Sequence, residues 1–277
     1  RSREILWQEG HTMHATEEEA KERTLEMLHV YEDFQKNYLG IPVIIGPKTD
    51  QEKFAGASKT YSLEAMMYDG VALQNGTSHY FGNKFASAFG IEFLNKDNKL
   101  VTPYQTSWGV TTRMLGALIM VHSDDNGLVL PPKIAPTKVV IIPIGDVNEA
   151  LNNITTSLKE NDITYIVDDS DKSPGFKFAE SEVKGYPIRL EIGARDLEKG
   201  IVTLVRRDTL EKIEVNIKDN ISAKISEVME TMQTDMYEKA RKRRDSMLYE
   251  ASTYEEFKSL AKNKNGVIKL NFCGRAN

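Results

Sequence analysis

Residues 1–16, RSREILWQEGHTMHAT, set the architecture of the first part of the chain, because they lead directly into a helix-start signal. Thr16 stands three residues before Glu19, and this spacing is a capping box, in which the two side chains satisfy free backbone N–H groups at a helix N-terminus. Beyond it, residues of one helical face recur at Ala20, Thr24, Met27, Leu28, Tyr31 and Phe34. We therefore predict a helix that begins after Thr16 and ends at Gly40.

Short segments punctuated by Gly, Pro, Asn or Asp follow this helix, as expected of strands in an antiparallel sheet. They cover residues 42–45, 63–67, 71–75, 91–94 and 100–106. A second helical pattern runs from Thr112 to His122, and a short strand is predicted at Leu128–Leu130. Helix, sheet and helix together predict an α+β fold for this part.

The proline-dense stretch 131–136, PPKIAP, is predicted to be a linker, because proline can continue neither a helix nor a central strand. After it, strands alternate with helices and then form a meander, which predicts a mixed sheet with helices packed on it. A long amphipathic helix follows from Ile221. We predict domain boundaries that divide the chain into residues 1–133, 134–218 and 219–277.

Composition narrows the possible functions. The chain has 277 residues and a net charge of −5, which suits two globular domains and argues against nucleic acid binding by bulk electrostatics. The basic run Arg241–Arg244 is interpreted as a solvated helix face. A single cysteine, Cys273, can form no internal disulfide and favours a reducing, cytoplasmic setting. Apolar stretches far shorter than about 20 residues predict no membrane span, and the start, which lacks Met and a secretion signal, is interpreted as an interior cut.

Residues 1–16 resemble the second half of motif 2 in class II aminoacyl-tRNA synthetases, in the form used by the eukaryote- and archaeon-like branch of prolyl-tRNA synthetases. The resemblance implies that Arg1 and Ser2 contact ATP, with the Arg1 guanidinium on phosphate oxygens, which its fork of donors suits. It also implies that Ile5 covers the adenine, where the family usually has Phe.

Residues 74–80, QNGTSHY, resemble the family's Gln-x-x-Thr-Ser-His loop. The resemblance implies that Gln74 and Thr77 contact the nucleotide and that His79 faces the bound proline. The residues alone equally suit an Asn-Gly hairpin turn, in which Thr and Ser satisfy the backbone.

Three further residues resemble the lining of the family's proline pocket. Trp7, His11 and Phe54 match its lining, and an apolar pocket is what a substrate with few polar atoms requires. Phe and Trp are also ordinary core residues, so packing is the alternative explanation.

Residues 107–120, SWGVTTRMLGALIM, resemble motif 3. Arg113 heads an otherwise apolar helix, and a buried guanidinium would need an anionic partner such as ATP phosphate. The resemblance makes Thr111 and Arg113 nucleotide contacts. Gly116 is expected to permit close packing of the helix on the sheet.

Residues 173–178 and 187–196 resemble markers of the class IIa anticodon-binding fold. Proline anticodons carry two guanines, whose donors and acceptors suit carboxylates and cations respectively. The predicted contacts are Lys177, Glu191, Arg195 and Asp196. Alternatively, these charges keep a hairpin edge soluble. Cys273 resembles the first ligand of the family's C-terminal zinc site, but no second cysteine follows, so no metal site is predicted in this chain.

Taken together, the resemblance implies an enzyme that activates proline with ATP and Mg²⁺ to prolyl-adenylate and transfers it to proline tRNA. Residues 1–133 would be the C-terminal part of the catalytic domain, 134–218 the anticodon-binding core, and 219–277 a long helix and the start of a further domain. Arg1 and Arg113 would carry catalysis by positioning and charge neutralisation. The full-length protein is expected to be a homodimer without membrane attachment, and this chain alone is expected to be inactive. The competing hypothesis is a non-catalytic tRNA-binding or regulatory paralogue, which would be expected to have lost these arginines or the pocket.

Overall fold

A computed structural model describes residues 4–271, which form two compact units. The first contains residues 4–37, Ile41–Val121 and 241–271, and the second contains Tyr38–Gly40 and His122–Ala240. Within residues 4–271, no helix combines the length and the apolarity that a membrane crossing would need.

The first unit is built on a five-stranded antiparallel sheet in the order β1-β7-β4-β3-β2. Its strands are β1 (Trp7–His14), β2 (Val43–Pro47), β3 (Lys59–Met66), β4 (Ala72–Gly82) and β7 (Tyr104–Thr111), and β5 (Phe93–Leu94) pairs with β6 (Leu100–Val101) in a separate ribbon. Its helices are α1 (Glu17–Asn37), α2 (Lys84–Ala88) and α3 (Arg113–His122).

Helix α1 begins at the predicted capping box. The Glu19 backbone N donates to Thr16 Oγ1 at 3.2 Å, and the Thr16 backbone N donates to Glu19 Oε2 at 3.3 Å. On the buried face of α1, Leu28 and Tyr31 pack against Leu63 of β3. The helix ends at Asn37, slightly before the predicted Gly40.

The Asn-Gly hairpin turn considered for residues 74–80 is wrong, because these residues lie inside strand β4. The β3–β4 turn instead uses Gly70, which has φ +80° and donates its N–H to the Met67 carbonyl at 3.1 Å. Asn75 is 3% exposed, and its Nδ2 donates to Gln35 Oε1 on α1 at 3.0 Å. This buried amide pair holds the polar residue within the sheet.

The second unit contains a five-stranded mixed sheet in the order β12-β11-β10-β8-β9. Its strands are β8 (Val139–Ile144), β9 (Tyr165–Val167), β10 (Ile188–Gly193), β11 (Ile201–Arg206) and β12 (Lys212–Asn216), and its helices are α4 (Asn148–Glu160), α5 (Pro174–Lys184), α6 (Ala194–Glu198) and the long α7 (Ile221–Ser246). Strand β8 pairs in parallel with β9 and β10, whereas β11 pairs antiparallel with β10 and β12. The predicted α+β fold, with an antiparallel sheet followed by a mixed one, is confirmed.

The strand predicted at Leu128–Leu130 is wrong. The segment instead lies against the end of α5, where the Leu128 N–H donates to the Val183 carbonyl at 3.2 Å. Gly127 has φ +137°, and a Cβ there would lie 2.4 Å from Val183 Cα. A glycine is therefore required for the close approach of these two backbones.

Three short elements follow α7: β13 (Leu248–Glu250), α8 (Tyr254–Asn263) and β14 (Val267–Lys269), with β13 and β14 paired in parallel. The interpretation of Arg241–Arg244 as a solvated face is wrong for two of the four residues. The Arg243 guanidinium lies 3.8 Å from the Tyr68 ring centroid and donates to the Val121 carbonyl at 2.9 Å. Arg244 Nη1 donates to the Val43 carbonyl at 3.4 Å. These contacts lie within the first unit, which contains the end of α7 from Arg241 onward.

Candidate functional site

Two neighbouring cavities lie in the first unit. The first, of about 410 Å³, is lined by aromatic and polar residues: Glu9, His11, Thr12, Met13, Phe54, His79, Phe81, Phe85, Phe89, Gln105, Thr106 and Ser107. The second, of about 420 Å³, is lined by Trp7, Glu9, Phe54, Gln74, Asn75, Gly76, Thr77, His79, Ser107, Trp108, Gly109, Val110, Thr111 and Arg113. Four residues line both: Glu9, Phe54, His79 and Ser107.

The strand register explains why distant residues meet here. In β1 and β7, His11 lies opposite Ser107 and Trp7 lies opposite Thr111, while His79 of β4 also pairs with Ser107. Because side chains alternate between the two faces of a strand, these residues share one face of the sheet. The opposite face packs against α1 through Leu63 and Val110, among others. One face thus packs on α1, and the other contributes His11, His79 and Ser107 to the cavities.

The first cavity has aromatic walls. The His79 ring lies 5.4 Å from Phe54 and 5.9 Å from Phe81 between centroids, and Phe85 lies 5.1 Å from Phe81. Gly56 has φ +98°, and a Cβ at this position would lie 2.7 Å from the Phe85 ring. The glycine therefore lets the segment that carries Phe54 close against these rings.

His79 is held at both ring nitrogens. Its Nδ1 lies 2.9 Å from Thr60 Oγ1, and its Nε2 lies 3.0 Å from Thr77 Oγ1. Burial lowers the pKa of His79, an effect that the negative charge of Glu9 opposes and the positive charge of Lys48 supports. A neutral imidazole with two fixed hydrogen bonds thus stands between the two cavities.

The second cavity is more polar. Arg113 begins α3, where its backbone N donates to Thr111 Oγ1 at 3.1 Å and its Nη1 donates to the Gln74 carbonyl at 3.3 Å. Arg113 is exposed, so the argument that burial demands an anionic partner is wrong. Within residues 4–271 its guanidinium has no ion pair, which leaves most of its donors available to an anion in the cavity.

Several predicted residues fall on these cavities. His11, Phe54 and His79 line the first cavity. The second brings together Trp7, Gln74, Thr77, Thr111 and Arg113. Trp7 lines the second cavity rather than the first, together with Phe54 and His79. Ile5 is 66% exposed and lines neither, and Arg1 and Ser2 lie outside the described residues. The roles assigned to all of them stay predictions.

Several lining residues were not predicted from the sequence, among them Glu9, Phe81, Phe85 and Ser107. The period-2 alternation of a strand was the available signal. Glu9 stands between Trp7 and His11 with the same parity, and Phe81 stands two residues after His79. Phe85 lies on α2, beyond the reach of that rule.

The predicted anticodon residues lie in the second unit. Lys177 is 6% exposed, and its Nζ donates to the Asp168 carbonyl at 2.9 Å. Glu191 Oε1 accepts from Arg189 Nε at 2.9 Å, and Arg189 also donates to Glu182 at 3.0 Å. These contacts give Lys177 and Glu191 a structural role.

The other two predicted anticodon residues lie on α6. Arg195 is exposed, and Asp196 is half-buried with its carboxylate 3.9 Å from Lys199 Nζ. Of the four, Arg195 is thus the most accessible to a ligand.

Comparison with known proteins agrees with this architecture. Residues 1–122 match the family described as tRNA synthetase class II core domain (G, H, P, S and T), and residues 138–227 match the anticodon binding domain. The chain is 55% identical over 278 residues to a proline–tRNA ligase of Lachnospira eligens, covering 99% of the chain and 58% of that protein. It is 54% identical over 282 residues to one of Chlorobium luteolum, covering 100% of the chain and again 58% of the relative.

The first part of the chain thus matches a class II aminoacyl-tRNA synthetase core domain, and the second part matches an anticodon-binding domain. Along nearly its whole length the chain is similar to proline–tRNA ligases. The chain spans 58% of the length of these curated relatives.

Proposed function

We propose that the whole protein to which this chain belongs ligates proline to proline tRNA. The observation that supports this most is the pair of cavities that share Phe54 and His79, one with aromatic walls and one with an exposed arginine. A reaction that joins a small apolar amino acid to a nucleotide needs two such compartments side by side.

In this proposal, the pyrrolidine ring lies in the first cavity against Phe54, His79 and Phe81. The aromatic walls bury the apolar ring and exclude water from it. His11 of β1 lines the same cavity, whereas Trp7 of that strand lines the second cavity. Glu9, which lines both cavities, supplies a negative charge near the amino group of the substrate.

ATP occupies the second cavity. Gln74, Thr77 and Thr111 offer hydrogen bonds, and Arg113 offers free N–H donors to the phosphates. Mg²⁺ enters as part of the MgATP substrate, since magnesium usually keeps several waters and substrate phosphate oxygens as ligands.

The chemistry requires no side-chain nucleophile. A carboxylate oxygen of proline attacks the α-phosphorus of ATP, and the bond to pyrophosphate breaks. A ribose hydroxyl of the terminal adenosine then attacks the prolyl carbonyl, and AMP leaves. Arg113 would stabilise negative charge on the phosphates, and Arg1 would do so from motif 2.

The anticodon-binding unit would select the tRNA, with Arg195 and Asp196 directed at the guanines. Lys177 and Glu191 would support this surface by holding α5 and β10 in place. A homodimeric assembly and a cytoplasmic location belong to the same proposal.

Amino-acid-dependent exchange of labelled pyrophosphate into ATP tests this proposal in the whole protein. We expect exchange with proline and not with histidine or threonine. Arg113→Ala should lower the rate by about 100-fold or more, since it removes a fixed cation from the phosphates. Arg23→Ala is the matched control, because Arg23 pairs with Glu26 on α1 away from both cavities.

The competing hypothesis, a non-catalytic paralogue, predicts tRNA binding without exchange. Proline tRNA retained on a filter by a protein that catalyses no exchange would favour that hypothesis. Exchange driven equally by histidine would remove the assignment of proline.

A further inference from the structure

Thr60 is a buried residue that links the two parts of the aromatic cavity. It lies on β3, directly opposite His79 of β4, and is 2% exposed. Its Oγ1 accepts a hydrogen bond from the Phe54 backbone N at 3.0 Å and lies 2.9 Å from His79 Nδ1. One hydroxyl thus contacts both the segment that carries Phe54 and the histidine ring.

The direction of these hydrogen bonds follows from counting hydrogens. A threonine hydroxyl has one hydrogen and two acceptor positions. The Phe54 N–H can only donate, so it occupies one acceptor position on Thr60 Oγ1. Among residues 4–271, the remaining hydrogen-bond partner of this hydroxyl is His79 Nδ1. A buried O–H without an acceptor is costly, so the Thr60 hydrogen points at Nδ1.

The histidine tautomer follows from that direction. If Nδ1 accepts a hydrogen bond, it carries no proton, and the proton of the neutral ring sits on Nε2. The Nε2–H then donates to Thr77 Oγ1, 3.0 Å away. Because Thr77 Oγ1 is an acceptor in this bond, its own hydrogen is free to donate into the second cavity, which Thr77 lines.

We propose that Thr60 is a positioning residue that fixes His79 as the neutral Nε2–H tautomer and thereby makes the Thr77 hydroxyl a donor to the ligand of the second cavity. A directed chain of hydrogen bonds runs from the Phe54 N–H through Thr60, His79 and Thr77, and it joins the wall of one cavity to the polar lining of the other. The effect of this hydrogen-bond chain on substrate binding rests on the proposed function. The His79 tautomer does not depend on that function.

Long-range ¹H–¹⁵N correlation spectra of the ¹⁵N-histidine-labelled chain test the tautomer directly. The chain has five histidines, so the loss of one set of signals in His79→Gln identifies His79. We expect an Nε2–H tautomer in the unaltered chain. A predominant Nδ1–H tautomer would overturn the proposal.

Three substitutions separate the roles of the two threonines. Thr60→Val keeps the shape but removes the hydroxyl, so we expect a mixture of tautomers, and Thr60→Ser should restore the single Nε2–H form. Thr77→Val is the matched control, since it removes the hydroxyl on the other side of the ring and should leave the tautomer unchanged. A single Nε2–H tautomer in Thr60→Val, or its loss in Thr77→Val, would overturn the proposal. If Thr60→Val does not fold, the unaltered chain and Thr77→Val decide the question.

Kinetics in the whole protein test the consequence for substrates. Thr60→Val should raise the KM for proline or ATP about tenfold, as expected for a lost hydrogen bond at the site, with a smaller change in kcat. Thr60→Ser should recover most of the loss. Unchanged KM values for both substrates would overturn the positioning role. If the unaltered whole protein catalysed no exchange, the proposed function would fail while the tautomer result would stand.

Discussion

Gly10 illustrates how a single missing side chain shapes the site. It lies on β1 opposite Trp108 of β7, and a Cβ there would come within 2.3 Å of the indole ring. The ring therefore lies across the glycine, where it packs with the core under α1 and also lines the second cavity. Any larger residue would have to displace the indole.

We expect Gly10→Ala to lower the free energy of unfolding by about 1–3 kcal/mol, because the added methyl overpacks the contact with Trp108. Gly46→Ala is the control, since Gly46 also lies in a strand of this sheet and, apart from its chain neighbours, no atom of the described residues lies within 4 Å of its Cβ position. Urea unfolding followed by Trp fluorescence measures both. Equal stabilities of the two variants would contradict this account of Gly10.

At the scale of single residues, the resemblance singled out Phe54 and His79, and both line the two cavities, while their roles stay predictions. Gly116 was expected to allow close packing, yet within residues 4–271 no atom of another element lies within 4 Å of its Cβ position. Thr60 was not identified, because an isolated threonine in a strand gives no signal until its cross-strand neighbour is known.

Among the connections between elements, the Arg207–Asp124 pair stands out. The Arg207 side chain is 2% exposed and donates to both carboxylate oxygens of Asp124, at 2.6 and 2.8 Å. Its Nε also donates to the Glu182 carbonyl at 3.0 Å. The pair thus fastens the segment after α3 to the end of α5 and to the residue that follows β11.

Asp124→Asn should destabilise the second unit, since it leaves the buried Arg207 without its counter-charge. Solvent screens the exposed side of the carboxylate, so we expect a loss of only about 1–3 kcal/mol in the free energy of unfolding. Asp125→Asn, at the neighbouring exposed position, is the control. Chemical unfolding of the two variants gives the comparison, and no difference between them would show that the pair contributes nothing.

The same pair predicts a pH dependence. Arg207 lowers the pKa of Asp124, so the native state holds the carboxylate ionised where the unfolded chain begins to protonate it. The stabilisation is fully present above the unfolded pKa of about 3.9 and is lost as the pH falls through the lower folded pKa. The stability difference between the unaltered chain and Asp124→Asn should therefore shrink as the pH falls below about 4. A difference that grew with acid would contradict this assignment.

The elements that the sequence predicted best have local signals. Helix α1 has its capping box, and α5 begins after Ser173 with Pro174 at its first turn and ends at Lys184, just before Gly185 with φ +72°. Strand β4 was misjudged because Asn-Gly favours a turn locally, whereas the amide of Gln35, 40 residues away, satisfies Asn75 inside the sheet. Long-range hydrogen bonds of this kind have no local sequence signature.

The net charge of the chain bears on the proposed binding of proline tRNA. The net charge is −5, so binding of proline tRNA should rest on a few directed contacts rather than on a general basic surface. Each guanine of the anticodon should then contribute about 1–3 kcal/mol to binding. Filter binding of the 277-residue chain to native and guanine-substituted proline tRNA measures this difference.

Arg195→Ala should remove much of that discrimination without loss of stability, because the side chain is exposed. Lys177→Ala should instead lower the stability, since it removes a buried contact to Asp168. Lys199→Ala, at an exposed position of the same surface, is the control. Equal affinity for the two RNAs would remove the anticodon assignment.

The fold class of the whole molecule was predictable from the sequence. Both the order of strands and helices and the resemblance of several sequence motifs pointed to the same fold. Sequence spacing could not predict that one cavity is lined by Trp7, Gln74 and Arg113, since these residues come from three separate segments. This lining depends on the register of β1 and β4 against β7. The resemblance supplied what the pattern alone could not.

A crystal structure of the whole protein with a non-hydrolysable prolyl-adenylate analogue tests the assignment of the two cavities most directly. We expect the pyrrolidine ring to lie against Phe54 and His79 in the first cavity. We expect the nucleotide in the second cavity, beside Gln74 and Thr77 and with its phosphate position within reach of Arg113. An analogue bound in the reverse orientation, or outside these cavities, would contradict this assignment.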